Sequence, residues 1–197
     1  MKVLRGILII VMVVGIGGFA FINVNNHLVA DEKTSAAKEI IAAKTSAALS
    51  SAKGEGKADG ICVEDVTFVE GELVGLISYN GNESAMSVGV TDSSLDHQAM
   101  LHAASSKDHL VVLGHSYADG SVFGRLYGIS CDDQVIITDL EGNETTYVVT
   151  EKIWVDEETY DTASYVQSIF EDNSDLLLIT CQTKDGVKGR IIVSCEK

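Results

Sequence analysis

The sequence predicts a mainly β fold: a closed barrel of about seven to eight short strands with two or three short helices, preceded by one membrane-spanning helix. Three observations carry this. From Glu72 onward, apolar runs of strand length are separated by Gly, Asn and Asp turn signals. Segments with helical spacing are few and short, the clearest lying between Asp156 and Asp175. The chain opens with Lys2 and Arg5, then an uncharged stretch from Gly6 to Ile22. With Val24 included, that stretch approaches the roughly 20 residues a bilayer-crossing helix needs.

Three regions follow from composition. Residues 1–30 are expected to form a cytoplasmic stub and an anchor, because positive charge before the apolar run favours a cytoplasmic amino terminus. The competing reading is a removed signal peptide, disfavoured by the lack of a good small-residue cleavage site. Residues 31–60, rich in Ala, Ser, Thr and Lys, have Ile40, Ile41 and Leu49 as their large apolar residues up to Lys53, a stripe expected to be too thin to bury much surface. They read as a partly helical stalk linker closed by a flexible joint at Gly54, Gly56 and Gly60. Residues 61–197 read as the extracellular domain.

The net charge of −15 is concentrated in that domain, where 24 acids face seven bases. Such a surface repels phosphate backbones, so nucleic acid is excluded as a partner. Four cysteines, Cys62, Cys131, Cys181 and Cys195, are irregularly spaced without a CxxC pair. No zinc site is indicated, and neither metal nor cofactor is expected.

Within the domain, Glu72–Tyr79 and Ala85–Val90 alternate as two short strands around Asn80, Gly81 and Asn82. Thr91–Ser106 is expected as a short helix, with Ser93 and Asp96 forming a capping box and Leu95 and Ala99 facing inward. His97, His102 and His109 lack the i, i+4 pair with a carboxylate that a metal site would want. Leu110–Leu113 reads as a buried strand that stops at Gly114 and leaves His115 at its end. Asp119 and Gly120 make a turn, and Ser121 caps a helical turn sending Val122, Phe123, Leu126 and Tyr127 into the core.

Asp133–Leu140 and Glu144–Asp156 form a hairpin, with Val148, Ile153 and Val155 as core candidates and Trp154 on the opposite face. In the 156–175 connection, Glu157, Glu158 and Asp161 suit a helix amino terminus, and Tyr165, Val166, Ile169 and Phe170 sit at helical spacing. Two closing strands, Leu176–Gln182 and Lys188–Cys195, turn at Asp185 and Gly186 and bring Cys181 and Arg190 to one end of a sheet.

A nucleophilic cysteine needs a base or imidazolium partner, and the oxyanion it generates needs a donor. His115, Cys181 and Arg190 supply these three roles, each at the end of an apolar run. A disulfide between Cys181 and Cys195 is the structural alternative. Registered across the 184–187 turn, however, Cys181 falls opposite a residue near Arg190, several positions short of Cys195.

These stretches resemble a sortase. LLLITC (176–181) resembles the family's TLxTC strand, with Leu177 where threonine is usual. GRIIVSC (189–195) resembles the strand that brings the arginine, and GHSYADGSVFGRL (114–126) is similar to the GHN…DGxMFGxL pattern of class B members. The resemblance spans Leu110–Cys195 and, in outline, Glu72–Val90. It departs at Ser116, where class B members commonly have asparagine, in the shortness of the 156–175 connection, and in the absence of any proline.

The resemblance implies a sortase-type closed β-barrel and a membrane-anchored cysteine transpeptidase with His115, Cys181 and Arg190 as catalytic positions. Thr180 and Gln182 flank the nucleophile, and Tyr160, Tyr165, Ile169 and Phe170 wall a substrate groove. The implied partners are secreted proteins bearing a carboxy-terminal sorting motif, and an amine acceptor from a cell-wall precursor or a pilin lysine. Two other readings stay open. A cysteine peptidase of the cell envelope shares His and Cys, although papain-like enzymes place Cys first. A non-catalytic anchored β-domain explains the anchor and the acidity but not the three convergent residues.

Overall fold

The structure, a computed structural model, describes residues 22, 24–46, 71–89, 95–106, 108–171 and 173–197. Eight strands close into a barrel: β1 (Leu73–Tyr79), β2 (Asn82–Gly89), β3 (Ala99–His102), β4 (Leu110–Gly114), β5 (Gln134–Asp139), β6 (Glu144–Asp156), β7 (Leu176–Lys184) and β8 (Val187–Glu196). Around the barrel the order is β1-β2-β3-β4-β7-β8-β6-β5, and β5 pairs back onto β1. A helix over 24–46, here α1, precedes them. Two short helices, α2 (Glu157–Tyr160) and α3 (Ala163–Phe170), fill the connection between β6 and β7.

Strand alternation builds two apolar layers. Inside the barrel lie Ile77, Met86, Leu101, Val112, Phe123, Leu176, Leu178 and Val193, all buried. The alternate residues of β4, β7 and β8, Val111, Leu177, Ile179 and Ile192, face outward and are covered by Tyr160, Tyr165 and Ile169 of α2 and α3. Burial on both faces explains why β4 and β7 read as continuous apolar runs. Those two strands are parallel, as β2 and β3 are, while the other pairs run antiparallel. Tight two-residue turns at Asn80-Gly81 and Asp185-Gly186 have positive φ at both positions, the geometry that matches the twist of a hairpin.

Four expectations are corrected. The helix expected over Thr91–Ser106 is instead strand β3 from Ala99, because Ala99, Met100 and Leu101 are buried between β2 and β4 and the ladder satisfies their backbone; residues 91–94 lie outside the described set. Tyr127 lies in a single 3₁₀ turn, Leu126–Gly128, and is 61% exposed rather than in the core. On β6 the faces are exchanged: Tyr147, Val149 and Trp154 pack with the interior, Val148 and Ile153 are exposed, and Val155 lies under the outer layer. A register shift between Val149 and Glu151 changes the parity partway along that strand, which alternation alone does not reveal.

The segment read as a stalk contains α1, and α1 docks on the barrel. Ala30, Thr34, Ala37 and Ile41, spaced four, three and four apart, are buried, the last two against Leu76 and Ala85. Thr34 Oγ1 accepts a hydrogen bond from the Ala85 N–H (3.2 Å), Thr45 Oγ1 donates to Glu141 O (3.0 Å), and Lys38 pairs with Glu83. The thin stripe suffices because its small residues let the helix approach the sheet closely. The expected membrane span, Gly6–Ile22, lies outside the described residues except for Ile22. Among the described residues no helix is long and apolar enough to cross a membrane.

Candidate functional site

The site arises where three strand ends meet. Parallel pairing of β4 with β7 places Gly114 beside Thr180, so Cys181 follows on β7 and His115 is the first residue past the end of β4. Strand backbones at this point are about 4.8 Å apart. Antiparallel pairing of β7 with β8 sets Cys181 directly opposite Arg190, with Cβ atoms about 5 Å apart in such pairs. The period of two then fixes the face. Leu177 and Ile179 on β7 and Ile192 on β8 point outward, so Cys181 and Arg190 continue that outer row. Cover from α2 and α3 ends at this level, and Cys181 is exposed while His115 and Arg190 are half-buried.

Thr180, one residue back, faces the interior and is buried, and its Oγ1 donates to Gly114 O at 2.7 Å. The hydroxyl therefore ties the ends of β4 and β7 together beneath the site. Gly114 has its own steric reason, since a Cβ there would lie 2.5 Å from Cδ2 of the fully buried Phe123 ring. The Phe123 N–H in turn donates to His115 O at 3.1 Å.

Beyond its last pair with β4, β7 runs on from Cys181 to Lys184 with β8 as its partner strand. No described strand pairs with the β4 side of this extension, which leaves backbone donors there for an oxyanion. Gln182, half-buried, stands opposite Gly189, and its carbonyl accepts from Trp154 Nε1 at 3.4 Å. A Cβ at Gly189 would lie 2.8 Å from the Trp154 ring, so glycine there lets the indole pass under the strand end.

Arg190 is held from several sides. Its Nη1 donates to Gly189 O (3.1 Å) and lies 3.5 Å from Glu157 Oε1, and its Cζ stands 5.1 Å from the centre of the Tyr160 ring. Burial pushes the Tyr160 hydroxyl above its ordinary range, and the Arg190 charge opposes that shift. Tyr165 meets Tyr160 edge to face at 6.4 Å, and Ile169 is buried beneath them. Phe170 ends α3, and its side chain lies outside the described residues. On the other flank the His115 ring meets Tyr117 edge-on at 5.5 Å, and His97 stacks on Tyr117 at 5.1 Å.

The structure thus sets Cys181 and Arg190 opposite each other, next to the end of β4 that His115 follows, with Tyr160 and Tyr165 alongside and Ile169 buried beneath the two rings. It places Thr180 underneath rather than in the groove. Sequence reasoning missed Glu157, which read only as a helix-start acid, and His97, which read only as a histidine without the partners of a metal site. Cys195 pairs with Leu176, far from Cys181; Cys131, Cys181 and Cys195 are all free, as the register argument required for Cys181 and Cys195. Burial pushes the Cys195 thiol up to about 12, which leaves it inert beside the exposed Cys181.

A thiol, an imidazole and a guanidinium on one open rim, with backbone donors adjacent, can carry out acyl transfer through a covalent thioester. A family model for the sortase domain matches residues 77–197. No curated protein matches the sequence. Solved structures share the fold: a Clostridium perfringens sortase D5 transpeptidase at 16% identity (TM-score 0.55, covering 85% of this chain and 97% of that one), and sortase A from Corynebacterium diphtheriae at 18% identity (TM-score 0.53, covering 91% and 92%). A pilus-related sortase C of Group B Streptococcus has 19% identity (TM-score 0.53, covering 87% and 95%). With a barrel of this topology and a sortase-domain match over its last 121 residues, the chain belongs to the sortase family, whose members are cysteine transpeptidases.

Proposed function

We propose that this chain is a membrane-anchored transpeptidase that cleaves a carboxy-terminal sorting motif through a thioacyl-enzyme on Cys181 and passes the acyl group to an amine. The observation that supports the reading is the double register, Gly114 beside Thr180 and Cys181 opposite Arg190, which brings the strand end before His115 next to the segment carrying Cys181 and Arg190. In the first half-reaction the Cys181 thiolate attacks the scissile carbonyl carbon. The oxyanion is met by Arg190 and the Gln182 N–H, and His115 protonates the departing amine as the C–N bond breaks. In the second half-reaction an incoming amine attacks the thioester, gives a proton to His115 and releases the thiolate.

The sorting motif would lie along Tyr160 and Tyr165, which Ile169 backs from beneath. The acceptor amine belongs to a cell-wall precursor peptide or a pilin lysine. The class B-like assignment rests on the 114–126 segment alone, while the 156–175 connection, only two short helices, supports a groove of different shape. The anchor rests on Lys2, Arg5 and the apolar run to Ile22, which ends where α1 begins with Ile22, Val24 and Leu28 exposed.

The decisive experiment offers a panel of short sorting-motif peptides and a primary amine to the chain and to Cys181→Ala. The expected outcome is an acyl-enzyme mass adduct and an amide product that both vanish in the variant; transpeptidation retained by Cys181→Ala would overturn the reading. Fusion of residues 1–60 to a soluble reporter should carry it into the membrane fraction, and a reporter left in the soluble fraction would remove the anchor.

A further inference from the structure

Arg190 meets a carboxylate whose position is set independently of any substrate. Asp156 caps α2, accepting from the Thr159 N–H (2.8 Å) and the Thr159 hydroxyl (2.9 Å), so its own carboxylate is committed to the helix start. These bonds hold the Asp156 carboxyl below the usual carboxylate range. The next residue, Glu157, is therefore the acid left to face β8, and the β6–β8 register of Val155 with Arg190 and Asp156 with Gly189 delivers it beside the guanidinium. Glu157 and Gly189 O both contact Nη1, and the Tyr160 ring covers one face. Among the described residues, no hydrogen bond engages Nε or Nη2.

We infer that Glu157 is a positioning residue for Arg190, holding the guanidinium by its Nη1 corner so that the remaining donors stay available to an oxyanion formed at Cys181. This rests on the transpeptidase reading above. The arrangement uses one edge of a planar fork for support and leaves the other for chemistry. The two side chains are 21% and 42% exposed, so the pair adds little to stability and its effect lies in orientation. Without Glu157 the guanidinium keeps only its own Gly189 carbonyl and the Tyr160 ring, and its free rotations are restored.

Two small reagents separate orientation of the donor from reactivity of the thiol. p-Nitrophenyl acetate acylates a thiolate through a tetrahedral oxyanion: the S–C bond forms, the oxyanion collapses and p-nitrophenolate leaves. Iodoacetamide alkylates the same sulfur by displacing iodide, with no oxyanion. Outright loss of an oxyanion donor costs about 10²- to 10³-fold in rate, so a misplaced donor should cost about tenfold.

The expected result is that Glu157→Ala slows acetylation of Cys181 about tenfold, leaves alkylation within about twofold and keeps the wild-type thermal midpoint, while Glu157→Gln recovers part of the acetylation rate. Unchanged or faster acetylation in Glu157→Ala, or equal slowing with both reagents, overturns the assignment. Failure of the underlying reading looks different: wild-type Cys181 then acetylates no faster than free cysteine, Arg190→Ala changes nothing, and the role of Glu157 falls with it.

Discussion

Replacing Thr180 with valine tests whether the site depends on the bond beneath it. The Thr180 hydroxyl is buried and donates to Gly114 O over 2.7 Å, joining the last residue of β4 to the residue before Cys181. Valine keeps the volume and removes the donor from a buried acceptor, a change that costs about 1–3 kcal/mol. Serine keeps the donor and loses one methyl, which costs about 1 kcal/mol. In a chain of this size each kcal/mol lowers Tm by about 2–4 °C, so valine should lower it by about 4–8 °C and serine by about half that. The order matters more than the values. The parallel strand ends carry His115 and Cys181, so valine should also reduce kcat more than it raises KM, because it disturbs the spacing of reacting groups rather than the groove. Thermal melts and steady-state kinetics on both variants check this; a valine variant as stable as the serine variant would refute the argument, since packing of the methyl would then outweigh the hydroxyl.

Gly114→Ala drives a methyl to 2.5 Å from the buried Phe123 ring and should destabilise the fold by about 1–3 kcal/mol in a urea titration; an unchanged midpoint would mean the strand end has slack. Native protein at pH 8 should alkylate at exposed Cys131 and Cys181 but not at Cys195, with peptide mapping as the readout. The Cys195 thiol stays protonated in the native state up to about pH 12, whereas the unfolded thiol ionises near 9.0. Wild-type stability relative to Cys195→Ala should accordingly fall above pH 9, by up to about 1.4 kcal/mol per pH unit, and a difference independent of pH would contradict this. Ala37→Glu inserts a charge where α1 meets Leu76 and Ala85, and should make residues 24–46 sensitive to protease while the barrel stays intact.

What could be read from the sequence divides along a physical line. Strands β4 and β7, the β5–β6 and β7–β8 hairpins and the helical spacing in the 156–175 connection were legible because burial pattern and turn chemistry are local properties. The opposition of Cys181 and Arg190 was legible too, since a two-residue turn at Asp185-Gly186 leaves one register. Strand β3 was not, because the four-residue stretch Ala99–His102 owes its extended form to ladder pairing with β2 and β4, which no local periodicity reports. The docking of α1 was hidden for a related reason: Ala30, Thr34 and Ala37 look like a poor apolar stripe until the sheet surface they fit is known. Glu157 read as an ordinary helix-start acid because its partner lies 33 positions away on β8.

The position of the Cys181 thiol follows from where a cover ends. Leu176–Thr180 is buried on both sides, by the barrel interior for Leu176, Leu178 and Thr180 and by α2 and α3 for Leu177 and Ile179. One residue further, the alternation still points outward but the outer layer has run out, and Cys181 is exposed. The amino-terminal turn of the 156–175 connection, through Tyr160 and Glu157, touches the Arg190 guanidinium. In the proposed mechanism the substrate wall and the residues that touch the Arg190 guanidinium come from one short segment, so a change in α2 should alter binding and chemistry together, whereas a change in α3 should alter binding alone.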